Sequence, residues 1–202
     1  ILKIVGDVAI VGLPNAGKST FLASVTAAKP KIANYPFTTI IPNLGVWNNT
    51  LVLCDVPGLI SGAANGIGLG HAFLRHVERS HVVLHIIDAT SDDPLRDFDI
   101  INHELTRYDN GCLVNKPQVV VVNKMDAYNT HPYSDKERNA IPTTPKLSKD
   151  ELQEKLLQKM SHTRLMFMSA SEKDGVDDLM HRLYLFTEKV KAATATANSS
   201  IT

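Results

Sequence analysis

Gly12-Leu13-Pro14-Asn15-Ala16-Gly17-Lys18-Ser19 follows the apolar run Val8-Ala9-Ile10-Val11 and leads into a helix-forming segment from Phe21 to Ala28. The spacing G-x-x-x-x-G-K-[ST], between a strand and a helix, is that of a phosphate-binding loop. Gly12 and Gly17 allow backbone conformations that a Cβ forbids, so successive N–H groups can turn inward on phosphate oxygens. Lys18 adds a point charge at the β- and γ-phosphates. The Ser19 hydroxyl suits Mg²⁺, with Thr20 beside it in the same turn. The helix that follows aims its positive end at the same anion.

The rest of the chain bounds what surrounds this loop. Its 202 residues make one ordinary domain, and the apolar fraction of 44% with 21% charged residues is globular. The formal net charge of zero supplies no global field toward nucleic acid or membrane. Two cysteines, Cys54 and Cys112, argue against a disulfide framework, and Cys54 reads as a buried apolar residue. No signal peptide and no eighteen-residue apolar span is visible. A reducing compartment is therefore expected, either cytoplasm or an organellar stroma or matrix. The chain begins at Ile1 rather than Met, which reads as a piece of a longer polypeptide.

Apolar runs alternate with helical patterns, which predicts an α/β fold of three layers. A mostly parallel six-stranded sheet would carry helices on both faces. Strands are expected near 7–11, 44–48, 51–55, 81–87, 118–122 and 165–168, and helices near 18–27, 68–78, 94–108, 148–161 and 175–190. The segments 44–48 and 51–55, joined through Asn48-Asn49, read as a hairpin. Tyr128 to Ser148 reads as an exposed connection. One domain is expected over 1–190, with 191–202 a flexible tail or linker.

Three later stretches fall where ligand sites of open α/β sheets lie, at strand carboxyl ends. Asp55-Val56-Pro57-Gly58 offers a carboxylate that can hold Mg²⁺ through water and a Gly58 N–H for a γ-phosphate. Asn123-Lys124-Met125-Asp126 offers the Asp126 carboxylate to the ring N–H and exocyclic amine of guanine, an edge that adenine lacks. There Asn123 would brace the loop and base, and the Lys124 stem would lie on the ring. Ser169-Ala170-Ser171 lets the backbone approach the base, with the Ala170 N–H offered to the guanine oxygen. Between loop and hairpin, Tyr35-Pro36-Phe37-Thr38-Thr39 could complete a Mg²⁺ shell and release on hydrolysis, an order–disorder switch.

Together these stretches resemble the TRAFAC class of GTPases and, within it, the Obg family. The resemblance is carried by 12–19, by Ile32 to Thr39 with Pro42-Asn43-Leu44-Gly45, by Asp55 to Ile60, and by Gly66 to His76. It implies a P-loop GTP-binding domain with Mg²⁺ that acts in large ribosomal subunit assembly, with slow hydrolysis. It implies Thr39 as a Mg²⁺ ligand beside Ser19 and Asp55, with Phe37 and Thr38 along the nucleotide. Contact with the large subunit or its rRNA would run mainly through flanking domains, and the G domain would be a monomer.

Leu59 stands where many GTPases carry a water-orienting glutamine, so catalysis would rest on Lys18, Thr39, Gly58 and one further group. Asn15 can hold K⁺ near the β- and γ-phosphates as related GTPases do, or it can hydrogen-bond the loop backbone. His71, His76, His81 and His85 lack zinc-site spacing, and Arg75 and His76 read as solvated helix residues. Two rival functions remain: a binding module that senses guanine nucleotide with negligible hydrolysis, and a P-loop kinase or ATPase, which Asn123 to Asp126 disfavours.

Overall fold

The computed structural model describes residues 6–26, 31–32, 43–55, 71–107, 113, 115–130 and 147–199. In chain order the elements are β1 (Val8–Val11), α1 (Lys18–Val25), β2 (Lys31–Ile32), β3 (Asn43–Trp47), β4 (Leu51–Asp55), α2 (His71–Glu78) and β5 (Val82–Asp88). Then come α3 (Pro94–Arg107), β6 (Gln118–Asn123), α4 (Met125–Thr130), α5 (Lys149–Lys159), β7 (Leu165–Phe167) and α6 (Val176–Ser199). The sheet runs β2-β3-β4-β1-β5-β6-β7. From β4 through β7 the pairings are parallel, while β2–β3 and β3–β4 are antiparallel. All six expected strands are present, and the two-residue β2 adds a seventh at the antiparallel edge.

The central strands are buried on both faces, which is why their sequences do not alternate. On one face Val8, Ile10, Leu53, Leu84, Ile86 and Val121 pack with Phe21 and Leu22 of α1 and with Leu179, Met180 and Leu183 of α6. On the other, Ala9, Val11, Cys54 and Val83 meet Leu74 and Val77 of α2 and Ile101 and Leu105 of α3. Further along that face Ile87, Val120 and Val122 meet Phe98, Tyr128, Leu152 and Leu156. The loop after β1 leads to α1 on the first face, and the chain after β5 leads to α3 on the second. The neighbouring strand ends of β1 and β5 therefore diverge, leaving the crevice that open sheets use for ligands.

Local chemistry sets the element ends. Asn48 and Asn49 take φ of 46° and 56°, tolerated by asparagine, and Thr50 N–H donates to Trp47 O at 3.0 Å to close the β3–β4 turn. Helix α3 begins at Pro94, where a missing N–H costs nothing, and Asp93 Oδ1 accepts the Arg96 N–H at 3.0 Å. Helix α5 begins in a capping box in which Glu151 N–H donates to Ser148 Oγ and Ser148 N–H donates to Glu151 Oε2.

Three sequence readings are corrected. Tyr128, read as the start of an exposed connection, lies in α4 (Met125–Thr130); it is buried, and its hydroxyl donates to Leu147 O. The last helix does not stop at 190 but continues to Ser199. Its end is rich in alanine, the best helix former, and the Thr194 and Thr196 hydroxyls donate to Val190 O and Ala192 O. Lys191, placed in the tail, pairs with Asp7 Oδ1 at 2.8 Å beside the start of β1. Thirdly, His76 is not solvated but buried within α2.

His85 is a packing residue on β5. Its ring stacks on Phe98 at 5.4 Å, and its Nδ1 lies 3.3 Å from Gln118 Nε2. Burial, with the Lys18 charge adding to it, lowers its pKa from 6.5 to about 3. The unfolded chain takes up a proton below about 6.5 that the folded chain refuses, so stability falls as pH drops from there toward 3. Between pH 7 and 5 the cost is about 2 kcal/mol for this one group. The unfolding free energy of the parent from urea titration should fall by that much more than that of His85→Gln over the same interval; parallel losses would contradict the assignment.

Candidate nucleotide-binding site

The loop between β1 and α1 is shaped by two close approaches. A Cβ on Gly12 would lie 2.3 Å from Ile86 O, and one on Gly17 would lie 2.2 Å from Asn123 Nδ2. Gly17 has φ of 92° and precedes α1 without a side-chain cap, so the first N–H groups of the helix stay directed toward an anion. Asn15 also takes a positive φ, 64°, and is exposed. Its side chain has no hydrogen-bond partner among the described residues. Leu13 packs under the loop against the α2–α3 side, Pro14 is exposed, and Ala16 is buried.

Lys18 reaches back over the loop, its Nζ donating to Gly12 O at 3.0 Å and Leu13 O at 2.9 Å. These two acceptors orient the ammonium group, and its third N–H remains for a ligand oxygen. Burial lowers the Lys18 pKa, and the Asp55 charge opposes that shift.

Ser19 Oγ donates to Asp55 Oδ2 at 3.2 Å, joining the start of α1 to the end of β4. Asp55 is 1% exposed, and its Oδ1 has no hydrogen-bond partner among the described residues. Burial raises its pKa, against the lowering effects of the Lys18 charge and the Ser19 hydroxyl. A buried carboxylate with one orphaned oxygen is costly unless something else occupies it. The donor set, a hydroxyl and a carboxylate beside a phosphate loop, fits a hard divalent cation.

The other end of the site is built on Asn123, the last residue of β6 and buried at 2% exposure. Its Nδ2 donates to Ala16 O at 2.9 Å, and its Oδ1 accepts the Ala170 N–H at 2.9 Å. One carboxamide thus ties the phosphate loop to the 169–171 loop. The Ala170 amide is therefore committed to Asn123 rather than offered to a base. Ser169 and Ser171 hydroxyls lie 3.1 Å apart, and Glu172 N–H donates to Ser169 Oγ, closing that loop on itself. Lys124 takes φ of 67°, and Met125 and Asp126 open α4 with Asp126 exposed in its first turn. The Lys124 ammonium pairs with Asp88 Oδ2 at 2.6 Å.

Asp88 was not singled out in the sequence. It ends the apolar run of β5 as Asp55 ends that of β4, and that strand-end carboxylate was the available signal. Phe37, Thr38, Thr39, Val56, Pro57 and Gly58 lie outside the described residues, as does the rest of the expected switch segment, 33–42. Thr20 itself is exposed in the first turn of α1.

A family model described as 50S ribosome-binding GTPase matches residues 7–124, more than half of the chain, from β1 through the phosphate loop and Asp55 to Asn123-Lys124. The chain belongs to that family. Within it, the chain is similar to GTPase Obg of Cyanothece sp., 44% identical over 98% of this chain and 51% of that protein. It is likewise similar to GTPase Obg of Prochlorococcus marinus (strain NATL1A), 48% identical over 91% of this chain and 51% of the relative. The chain spans about half the length of these relatives. Among solved structures, the G domain of the T. maritima FeoB iron transporter superposes with a TM-score of 0.58 at 20% identity, covering 88% of this chain and 97% of that one. That likeness establishes the G-domain fold.

Asn123→Ala would strand the buried Ala16 O and Ala170 N–H, each at about 1–3 kcal/mol. Denaturant unfolding without nucleotide should show a loss of that order. A variant as stable as the parent would mean that the carboxamide does not hold the two loops.

Proposed function

We propose that this chain is a GTP-binding and GTP-hydrolysing switch domain with Mg²⁺, working within a longer protein on the large ribosomal subunit. The observation that carries the reading is the Asn123 carboxamide, which ties the phosphate loop to the 169–171 loop beside Lys124 to Asp126. The family description and the names of the Obg relatives support the ribosomal part. The G domain itself is proposed to act as a monomer, with rRNA contacts made mainly by flanking domains. The segment 191–202 would lead toward such a domain, as a helix through Ser199.

Phosphoryl transfer asks the protein for position and charge rather than covalent chemistry. Lys18, already oriented by two carbonyls, would meet the β- and γ-phosphates, with the loop amides from Leu13 to Ser19 around them. Ser19 and Asp55 would hold Mg²⁺, with Thr39 joining when a γ-phosphate is present. The ion would neutralise charge developing between the phosphates. Asp126 would accept two hydrogen bonds from guanine, and Asn123, with donor and acceptor capacity left after its two bonds, can face the base. Gly58 would donate its amide to the γ-phosphate.

With Leu59 unable to hydrogen-bond a water, the intrinsic rate would be slow. Asn15, exposed and without a partner among the described residues, would supply an oxygen to K⁺ near the phosphates. Hydrolysis should then run faster in KCl than in NaCl at matched ionic strength, and equal rates would remove Asn15 from that role. Asp126→Asn should move preference from guanine toward xanthine nucleotides; undiminished GTP binding in that variant would discard the base assignment. A binding module that only senses nucleotide would show no single-turnover hydrolysis with or without ribosomal subunits.

A further inference from the structure

Asp88 belongs to none of the stretches that marked the site, yet both of its carboxylate oxygens are engaged around the base loop. Oδ2 accepts from Lys124 Nζ at 2.6 Å. Oδ1 accepts from the Thr90 N–H at 2.8 Å and from the Thr90 hydroxyl at 2.6 Å. The backbone between them joins in: Asp88 lies in register with Asn123, and Ala89 N–H donates to Asn123 O at 2.9 Å. Residues 88–90 thus form a strap against Asn123 and Lys124.

What the strap holds is a strained residue. Lys124 has φ of 67°, a conformation that persists in a non-glycine residue only when its surroundings impose it. Its carbonyl accepts the Ala127 and Tyr128 N–H groups at 3.1 and 3.0 Å, so the placement of Lys124 sets the first turn of α4 and with it Asp126. A surface ion pair would contribute little to such a task. Here the side chains are 33% and 16% exposed, and the carboxylate is already anchored by Thr90, so little further freedom is lost on pairing. The pair joins a strand end to the base loop rather than two elements of the core, which argues against a role confined to fold stability.

We propose that Asp88, anchored by Thr90, is a positioning residue for guanine recognition. Its charge fixes Lys124 so that the lysine stem covers one face of the base and Asp126 meets the base edge. The inference rests on the guanine-nucleotide reading above.

The test follows release of a fluorescent (mant) GDP from the parent, Asp88→Asn, Lys124→Met and the double variant. Asp88→Asn keeps the size and the Thr90 acceptor but removes the charge, and Lys124→Met keeps the apolar stem. Release from Asp88→Asn should be about tenfold faster. The double variant should release no faster than the faster single. The preference for GDP over IDP, which lacks the exocyclic amine that Asp126 would grip, should narrow. Parental release from Asp88→Asn, or effects that multiply in the double variant, would overturn the proposal. Faster release with an unchanged GDP-over-IDP preference would mark Asp88 as a fold-stabilising residue and equally overturn it. If Asp88→Asn fails to fold, Lys124→Met breaks the same pair and is read against the same release and preference outcomes. A parent that does not bind mant-GDP would sink the guanine reading and this inference together, whereas a binding parent with an unaltered Asp88→Asn sinks the inference alone.

Discussion

The site depends on one buried carboxamide. Asn123 reaches from the end of β6 to Ala16 O in the phosphate loop and to the Ala170 N–H after β7. Those groups are 107 and 47 residues away in sequence, so neither contact helps the chain form locally. They become available only when β1, β6 and β7 stand in one sheet with their carboxyl ends level. The requirement works backward on the sequence as well. Gly17 must lack a Cβ because Asn123 Nδ2 occupies the space where one would be. The second glycine of the phosphate loop thus makes room for the Asn123 link as well as for the turn itself.

Around that link the charged groups are held by the chain's own hydrogen bonds. Lys18 is oriented by two carbonyls of its own loop, and Ser19 is bonded to Asp55. Asp55 keeps one oxygen buried without a partner among the described residues, an unfavourable arrangement on its own and a useful one for a cation. Lys124 is fixed by Asp88 in a backbone conformation it would not adopt alone. Placing costly groups at strand ends is tolerable because the sheet beneath them is apolar and closely packed on both faces.

Much of this was legible in the sequence because it depends on local pattern. The unalternating runs at 82–87 and 119–122 identified doubly buried strands. The phosphate loop declared itself by spacing, and Asp55 and Asn123 by standing at the ends of apolar runs. What escaped was set by tertiary contact. Helix α4 is too short for periodicity to reveal, and it exists because Tyr128 is buried beneath α5 and Lys124 starts its first turn. The extension of α6 was hidden by small polar residues that resemble a linker, although alanine-rich sequence favours helix and Lys191 is held by Asp7. The Ala170 amide looked available because nothing in Ser169-Ala170-Ser171 reveals an acceptor 47 residues earlier. Asp88 escaped because its partner, Lys124, lies 36 residues on, just past the end of the neighbouring strand.

The central claim is that these loops form one pocket selective for a guanine nucleotide. Calorimetric titration of the chain with GDP and with ADP, each in Mg²⁺, tests it most directly. A pocket whose polar groups are built for the guanine edge should leave them unpaired against adenine, so GDP should bind at least about a hundredfold more tightly. Equal affinities for the two nucleotides would contradict the account.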